Sequence, residues 1–300
     1  MRQVELPNTG KRTSQLGFGC AYLTADTRRL LDVAYDAGIR HFDVARSYNR
    51  GHAEGVLGEF LAGRGDDLTV ASKYGILPDA PPLHQRIARK LLGSAAAAPT
   101  MRRAAFTAEE VEASLQTSLK HLRRDRLDLF LMHEGTPDEL RTPALLAFLQ
   151  DSVPRGVIGA FGVGGPSSRI PDLFEQAPDF CEVLQSDWTP LDPPLPQPPF
   201  SVRYRVFSRT SPRVAALLDE AETLRAWSGR IDYDLAHPGA AQRLLLKVAL
   251  EMRPKDLILV SSTNPEHIRA NVETAEDGRL VAPAMALSKL IGKMAMGAVA

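Results

Sequence analysis

The sequence predicts an α/β fold, a (β/α)8 TIM barrel with an N-terminal β-hairpin and a C-terminal helix. Three observations predict it. Eight short apolar runs alternate with helical patterns along the 300 residues, an order that builds a parallel sheet and, at eight repeats, closes it. The length suits one barrel of about 250 residues with insertions. Four reactive side chains, Asp43, Tyr48, Lys73 and His133, fall at or just after the ends of three of these runs. That rim is where such barrels carry their chemistry.

The elements follow in order. Gln3 to Leu6, the turn Asn8-Thr9-Gly10 and Arg12 to Leu16 read as the hairpin. Gln15 to Gly19 is the first barrel strand. Arg28 to Ala37 is a helix with Leu30, Leu31, Val33 and Ala34 on its apolar side, and Gly38 stops it. Arg40 to Val44 is the second strand, Ala53 to Leu61 the second helix, and Leu68 to Lys73 the third strand. Thr107-Ala108-Glu109-Glu110 is a capping box, followed by Val111, Leu115, Leu119 and Leu122 at helical spacing. Leu127 to Met132 is the fourth strand, and Thr136-Pro137-Asp138-Glu139 places proline first in another helix. Val157 to Val163, Cys181 to Gln185, Val202 to Ser208 and Leu257 to Ser261 are the remaining strands. Helices are expected at Ile170 to Gln176, Arg213 to Trp227, Gln242 to Glu251 and from Asn264-Pro265-Glu266 onward. The tail from Pro283 to Ala300 reads as an amphipathic helix docked on the body.

Residues 1–300 are expected to form one barrel domain. Two proline-rich stretches, 75–106 and 190–200, interrupt the alternation after strand ends. They are expected as loop insertions at the catalytic rim that shape a substrate pocket.

Composition narrows the function. Lys+Arg and Asp+Glu are 36 each, so net charge recruits neither nucleic acid nor an acidic membrane. Cys20 and Cys181 form no CxxC motif, and a reducing, cytoplasmic setting is expected. The first ten residues include Glu5 and Pro7 and no apolar h-region, so no signal peptide is expected. No apolar run is long enough to span a bilayer. The expected partner is a small molecule, and the expected state a monomer or small homo-oligomer.

The four rim residues suggest proton donation to an oxygen. Tyr48 is the natural acid, but a phenol near pKa 10 is weak at neutral pH. An ammonium from Lys73 would favour its phenolate, Asp43 would hold Lys73 charged, and His133 would orient a carbonyl oxygen. These parts suit carbonyl reduction. Side chains carry no hydride, so a nicotinamide cofactor is required. Other readings are weaker. Gly17-Phe18-Gly19 is not a dinucleotide fingerprint, because Tyr22 stands at the third glycine position. His41, Asp43 and His133 could ligate a metal, but Lys73 would then sit beside it and Tyr48 would have no role.

His41-Phe42-Asp43-x4-Tyr48, Ser72-Lys73-Tyr74-Gly75 and Leu127 to His133, with Leu16 to Gly19, Phe161-Gly162-Val163 and Ser262 to Glu266, together resemble the aldo-keto reductase superfamily. The resemblance implies an NAD(P)H-dependent reductase of an aldehyde, ketone or sugar-like carbonyl, with Asp43, Tyr48, Lys73 and His133 as its tetrad. It assigns Gly19, Cys20, Asp43, Gln185, Phe207, Ser208, Ser261, Ser262, Thr263, His267 and Asn271 to the cofactor, NADPH or alternatively NADH. Gln185 would bind the nicotinamide carboxamide, Phe207 would stack on its ring, and Asn271 would contact the adenine.

Three positions depart from the family pattern. Gly164-Gly165 replaces Ser-Asn, Ser261 and His267 replace the 2′-phosphate's Lys and Arg, and Cys20-Ala21 replaces Thr-Trp. The last change is expected to open the pocket. These losses leave a second possibility, a nucleotide-binding barrel with little turnover that serves as a sensor or binding subunit.

Overall fold

A computed structural model describes the chain except residues 66, 79–100, 191, 193–194, 208–209 and 296–300. Eight parallel strands close into a barrel. In chain order they are β3 (Leu16–Gly19), β4 (His41–Asp43), β5 (Thr69–Tyr74), β8 (Leu127–His133), β9 (Ile158–Gly165), β10 (Val183–Asp187), β11 (Phe200–Tyr204) and β12 (Leu257–Val260). Closure pairs Ile258 with Leu16. β1 (Gln3–Glu5) and β2 (Arg12–Ser14) form the antiparallel hairpin.

Alternation decides which side chains enter the barrel. Ala71, Leu129, Leu131, Ala160, Val183, Val202, Leu257 and Leu259 form its inner core, and Val4 and Leu6 of the hairpin join them. The hairpin therefore plugs the base. The opposite faces of the strands pack on the surrounding helices through Phe42, Val70, Phe130, Met132, Phe161 and Leu184. Lys11 adds an ion pair from the hairpin to Asp128, 3.2 Å.

The helices start and stop where local chemistry dictates. α1 (Arg29–Asp36) buries Leu30, Leu31 and Ala34. α2 (Ala53–Leu61) lies against α3 (Ala108–Leu122), where a β-carbon on Gly58 would come within 2.0 Å of the His121 carbonyl oxygen. Thr107 caps α3 by accepting from the Glu110 amide, and Arg123 ends it in the left-handed region. α4 (Pro137–Leu140) opens with proline first, as expected, and with a capping box of Thr136 and Glu139, but lasts only one turn. The chain restarts as α5 (Pro143–Ser152), with Pro143 in the first turn. α6 (Ile170–Gln176) falls where expected.

Several boundaries differ from the sequence expectation. The sixth and seventh strands are Val183–Asp187 and Phe200–Tyr204, shifted two residues later and two to four earlier. The 3-10 turn Pro178–Phe180 delays the first, and left-handed Arg205 (φ 53°) ends the second. The single helix expected from Arg213 to Trp227 is two, α7 (Thr210–Leu218) and α8 (Ala221–Ile231), because Glu220 is extended. α9 (Ala240–Met252), α10 (Pro265–Glu276) and α11 (Val281–Ala295) complete the outer layer. Of the 75–106 stretch, β6 (Ile76–Pro78) and β7 (Met101–Arg103) pair as an antiparallel ribbon at the rim. The residues between them lie outside the described set. Among the described residues no helix is long and apolar enough to cross a membrane.

Leu6 is 1 % exposed under the barrel floor. Leu6→Ala should cost about 2–5 kcal/mol in urea denaturation, with turnover per folded molecule unchanged.

Candidate active site

The strand order brings Asp43, Lys73, His133 and Gln185 to one end of the barrel. Asp43 and His133 end β4 and β8, while Lys73 and Gln185 lie near the ends of β5 and β10. Tyr48 opens a tight 3-10 turn, Tyr48–Gly51, whose Asn49 and Arg50 are both left-handed. Its amide donates to the Ala45 carbonyl, 3.1 Å. Four of the five thus stand on rigid strands, and the fifth is fixed by a short turn.

Lys73 uses its three donors in three directions. Nζ donates to Asp43 Oδ1 at 2.5 Å, to the Val44 carbonyl at 2.9 Å and to Tyr48 Oη at 3.4 Å. Asp43 Oδ2 accepts from Gln185 Nε2, 2.8 Å. Asp43 and Lys73 side chains are each 3 % exposed, so neither charge has water as an alternative partner. The His133 ring meets Tyr48 edge-on, centroids 6.3 Å apart.

Burial sets the proton balance. It pushes the Tyr48 phenol upward, and the Lys73 charge only partly opposes it. The sequence expectation that Lys73 lowers this phenol is therefore reversed in net direction, because desolvation outweighs the ammonium. Tyr48 is a neutral O–H donor at physiological pH. Burial acts downward on Lys73, but Asp43 and then Tyr48 more than offset it, and the ammonium is held charged. His133 is lowered to about 3, first by burial and then by Lys73 and Arg103, so its imidazole is neutral.

His41 lies below this layer, fully buried. Its Nδ1 is 2.9 Å from the Thr69 hydroxyl, which donates onward to Thr13 Oγ1. It is thus engaged in the barrel core rather than turned to the mouth with Asp43 and His133.

The predicted cofactor residues are placed unevenly. Gln185 is 3 % exposed, and its Oε1 is buried with no hydrogen-bond partner among the described residues. That atom is 3.2 Å from where a β-carbon on Gly164 would stand, and a β-carbon on Gly165 would be 3.7 Å from Glu134 Cα. A side chain at 164 would thus press on the Gln185 amide, while position 165 faces Glu134 instead. Gly19 is buried, and a β-carbon there would collide with Ser261 Oγ at 2.4 Å. A side chain at 19 would therefore have to displace the Ser261 hydroxyl. Cys20 is fully buried, with Sγ 3.8 Å from the Phe18 carbonyl and the thiol pushed up by burial. It therefore fills core space, while Ala21 beside it is exposed.

Phe207 lies three residues beyond β11 and packs on the outer core and on the α7–α9 cluster. The aromatic at the strand end is instead Tyr204, which donates from Oη to the Gly165 carbonyl, 3.2 Å. Burial and Asp187 push its phenol up to about 12. Sequence reasoning missed Tyr204 because it ran the strand to Ser208; Tyr204 ending an apolar alternation was the available signal. Ser208 lies outside the described residues.

Ser261, Thr263 and His267 are exposed, and Ser262 and Asn271 are half-buried. The start of α10, expected to offer amides to phosphate, caps itself. Asn264 Oδ1 accepts from the Glu266 amide at 2.9 Å, and the Ser262 hydroxyl accepts from the Asn264 amide at 3.0 Å.

A second polar cluster lies behind Lys73. Ser72 donates to Glu54 Oε1 at 2.6 Å, and Glu54 Oε2 lies 3.5 Å from His121 and 3.7 Å from Arg46. It ties β5, α2 and α3 to the loop that carries Tyr48. Glu54 sits on the apolar face of its helix, and that misplaced carboxylate was its only sequence signal.

A parallel eight-stranded barrel thus carries an ion pair, a phenol and an imidazole together at one end. Residues 15–189 match the Aldo/keto reductase family, and the chain belongs to that family, whose members use nicotinamide cofactors. It is 23% identical over 305 residues to an uncharacterized oxidoreductase, YqkF, of Bacillus subtilis, covering 93% of each chain. It is 31% identical over 174 residues to a D-threo-aldose 1-dehydrogenase of a Pseudomonas species, covering 54% of this chain and 52% of the relative. A solved aldo-keto reductase from Klebsiella pneumoniae in complex with NADPH shares the fold, with TM-score 0.62, 19% identity and coverage of 97% and 95%.

The His41 ring gives a stability prediction. Burial, then Lys73, lowers it from 6.5 to about 3. The unfolded chain therefore binds this proton below pH 6.5, while the folded chain refuses it until about pH 3. Stability is lost as pH falls through that window. Urea denaturation at stepped pH should give His41→Asn a shallower loss than the wild type.

Proposed function

We propose that this protein is an NAD(P)H-dependent reductase of an aldehyde, ketone or sugar-like carbonyl. The observation that carries the reading is the Lys73 ammonium held between the Asp43 carboxylate and the Tyr48 hydroxyl. Tyr48 is the general acid. It is protonated at rest, and its loss of a proton is stabilised by a cation already in place. Asp43 keeps that cation charged, and Gln185 keeps Asp43 oriented. Neutral His133 turns a ring N–H toward the carbonyl oxygen and fixes it beside Tyr48.

Gln185, Gly164-Gly165 and Tyr204 suit the carboxamide-bearing ring of a nicotinamide. An amide N–H2 would satisfy the stranded Gln185 Oε1, Gly164 puts no side chain against that atom, and the Tyr204 ring offers a face. When bound, the nicotinamide supplies the hydride that no side chain carries. Gly19, Ser261, Ser262, Thr263, His267 and Asn271 border the proposed nucleotide end, where no Lys or Arg stands at 261 or 267. The Pseudomonas relative's name favours a sugar-like substrate.

The self-capped start of α10 favours a second reading, a nucleotide-binding barrel with little turnover. Fluorescence titration with NADPH and NADH, followed by a carbonyl panel, separates the two. Binding with turnover is expected, and binding without turnover on any carbonyl would select the second. Tyr48→Phe should lower kcat about 100-fold or more while leaving cofactor affinity unchanged. Equal activity in that variant would end the mechanism. Burial raises Tyr48 above its ordinary 10.0, and the acid acts protonated. Reduction should therefore hold through neutral pH and decline only above pH 10, in a kcat/KM profile.

A further inference from the structure

We propose that Arg103 and Arg169 are positioning residues that set the orientation of the His133 imidazole by clamping the backbone carbonyl of Glu134. The proposal rests on the reading of His133 given above. It begins with what His133 lacks. Its Nδ1 is buried and has no hydrogen-bond partner among the described residues. The ring contact with Tyr48 is edge-on at 6.3 Å. A ring with no polar partner on its inner nitrogen takes its direction from the backbone that carries it.

That backbone is unusual. Glu134, the next residue, is left-handed at φ 57°, a conformation uncommon for a residue with a β-carbon. Its amide donates to the Gly164 carbonyl at 2.5 Å. Its carbonyl accepts from Arg103 Nη2 at 2.7 Å and from Arg169 Nη1 at 3.0 Å. Water would satisfy a rim carbonyl without any side chain, so two guanidinium groups on one oxygen serve direction rather than solvation. On the other side, a β-carbon on Gly75 would come within 2.6 Å of the His133 carbonyl oxygen. Only a glycine lets the β5 end pack this closely on the His133 peptide.

The clamp is itself held. Arg103 Nε donates to Glu139 Oε1 at 2.6 Å, and its Nη2 also bonds Glu139 Oε2. Glu139 is fixed by the Thr136 amide at 2.9 Å and hydroxyl at 2.8 Å. Arg169 lies 3.9 Å from Glu134 Oε2. Two cations and two carboxylates make a neutral cluster, which argues against an anion subsite. Three rim segments meet here: β7, the β8–α4 turn, and the 3-10 turn Ser167–Arg169 after β9. The clamp therefore links the ribbon of the 75–106 insertion to His133.

Both arginines are more than one-third exposed, so truncating them leaves the fold intact. The test compares Arg103→Gln, Arg169→Gln, the double variant and Arg169→Lys by steady-state kinetics, NADPH titration and 13C NMR of histidine-labelled protein. His133→Asn assigns the His133 line. In the double variant kcat should fall ~10- to 100-fold, as a small misplacement of a catalytic group does. KM, NADPH affinity and the His41 line should hold, while the His133 line shifts or broadens. Arg169→Lys should restore part of the loss. An unchanged His133 line or unchanged kcat in an active enzyme overturns the proposal. So does a disturbed His41 line, which would make the cluster a prop for the whole fold. If the wild type reduces no carbonyl, the function reading fails, and the His133 line alone decides the clamp.

Discussion

The site depends on burying one ion pair well. Asp43 and Lys73 meet at 2.5 Å with almost no exposure, and a buried pair gains nothing unless its remaining hydrogen-bonding capacity is met. The Val44 carbonyl and Tyr48 hydroxyl complete the ammonium, and Gln185 completes the carboxylate. Those partners come from the β4 end, the loop after it and β10 across the barrel. The barrel must therefore close in register before the pair is satisfied. The fold and the proposed chemistry thus draw on the same contact.

The alternation of strands and helices was legible because each strand is short, apolar and bounded by a helix signal. Asp43, Lys73 and His133 were legible because a charged or polar residue at the end of an apolar run has one place to point. Boundaries were less legible where the chain breaks its pattern locally. Arg205 and Glu220 adopt conformations that their residue types do not announce. That is why Tyr204 was passed over for Phe207, and why one helix proved to be two. The net direction of the Tyr48 shift was illegible for another reason. The sequence names Lys73 as its neighbour but does not say how much water is excluded.

The glycine pair that ends β9 works through its backbone. Gly164-Gly165 supplies no side chains, yet its carbonyls carry the Glu134 amide and the Tyr204 hydroxyl. The pair thus ties the β8 and β11 ends to β9 without a side chain of its own. Cys20, with its thiol sealed in the core, likewise acts through packing. Replacing a side chain at such a position changes a neighbour's position rather than a ligand contact.

The hairpin floor has a consequence for traffic. Val4 and Leu6 close one end of the barrel and packed side chains fill its interior, so Lys73 is approached from the opposite rim alone. Anything that reaches Lys73 must pass the rim, and so must anything that leaves. A long ligand laid across that opening becomes a cover for a smaller one beneath it. The order in which two such molecules came and went would then follow from the one-sided access, before any affinity is considered.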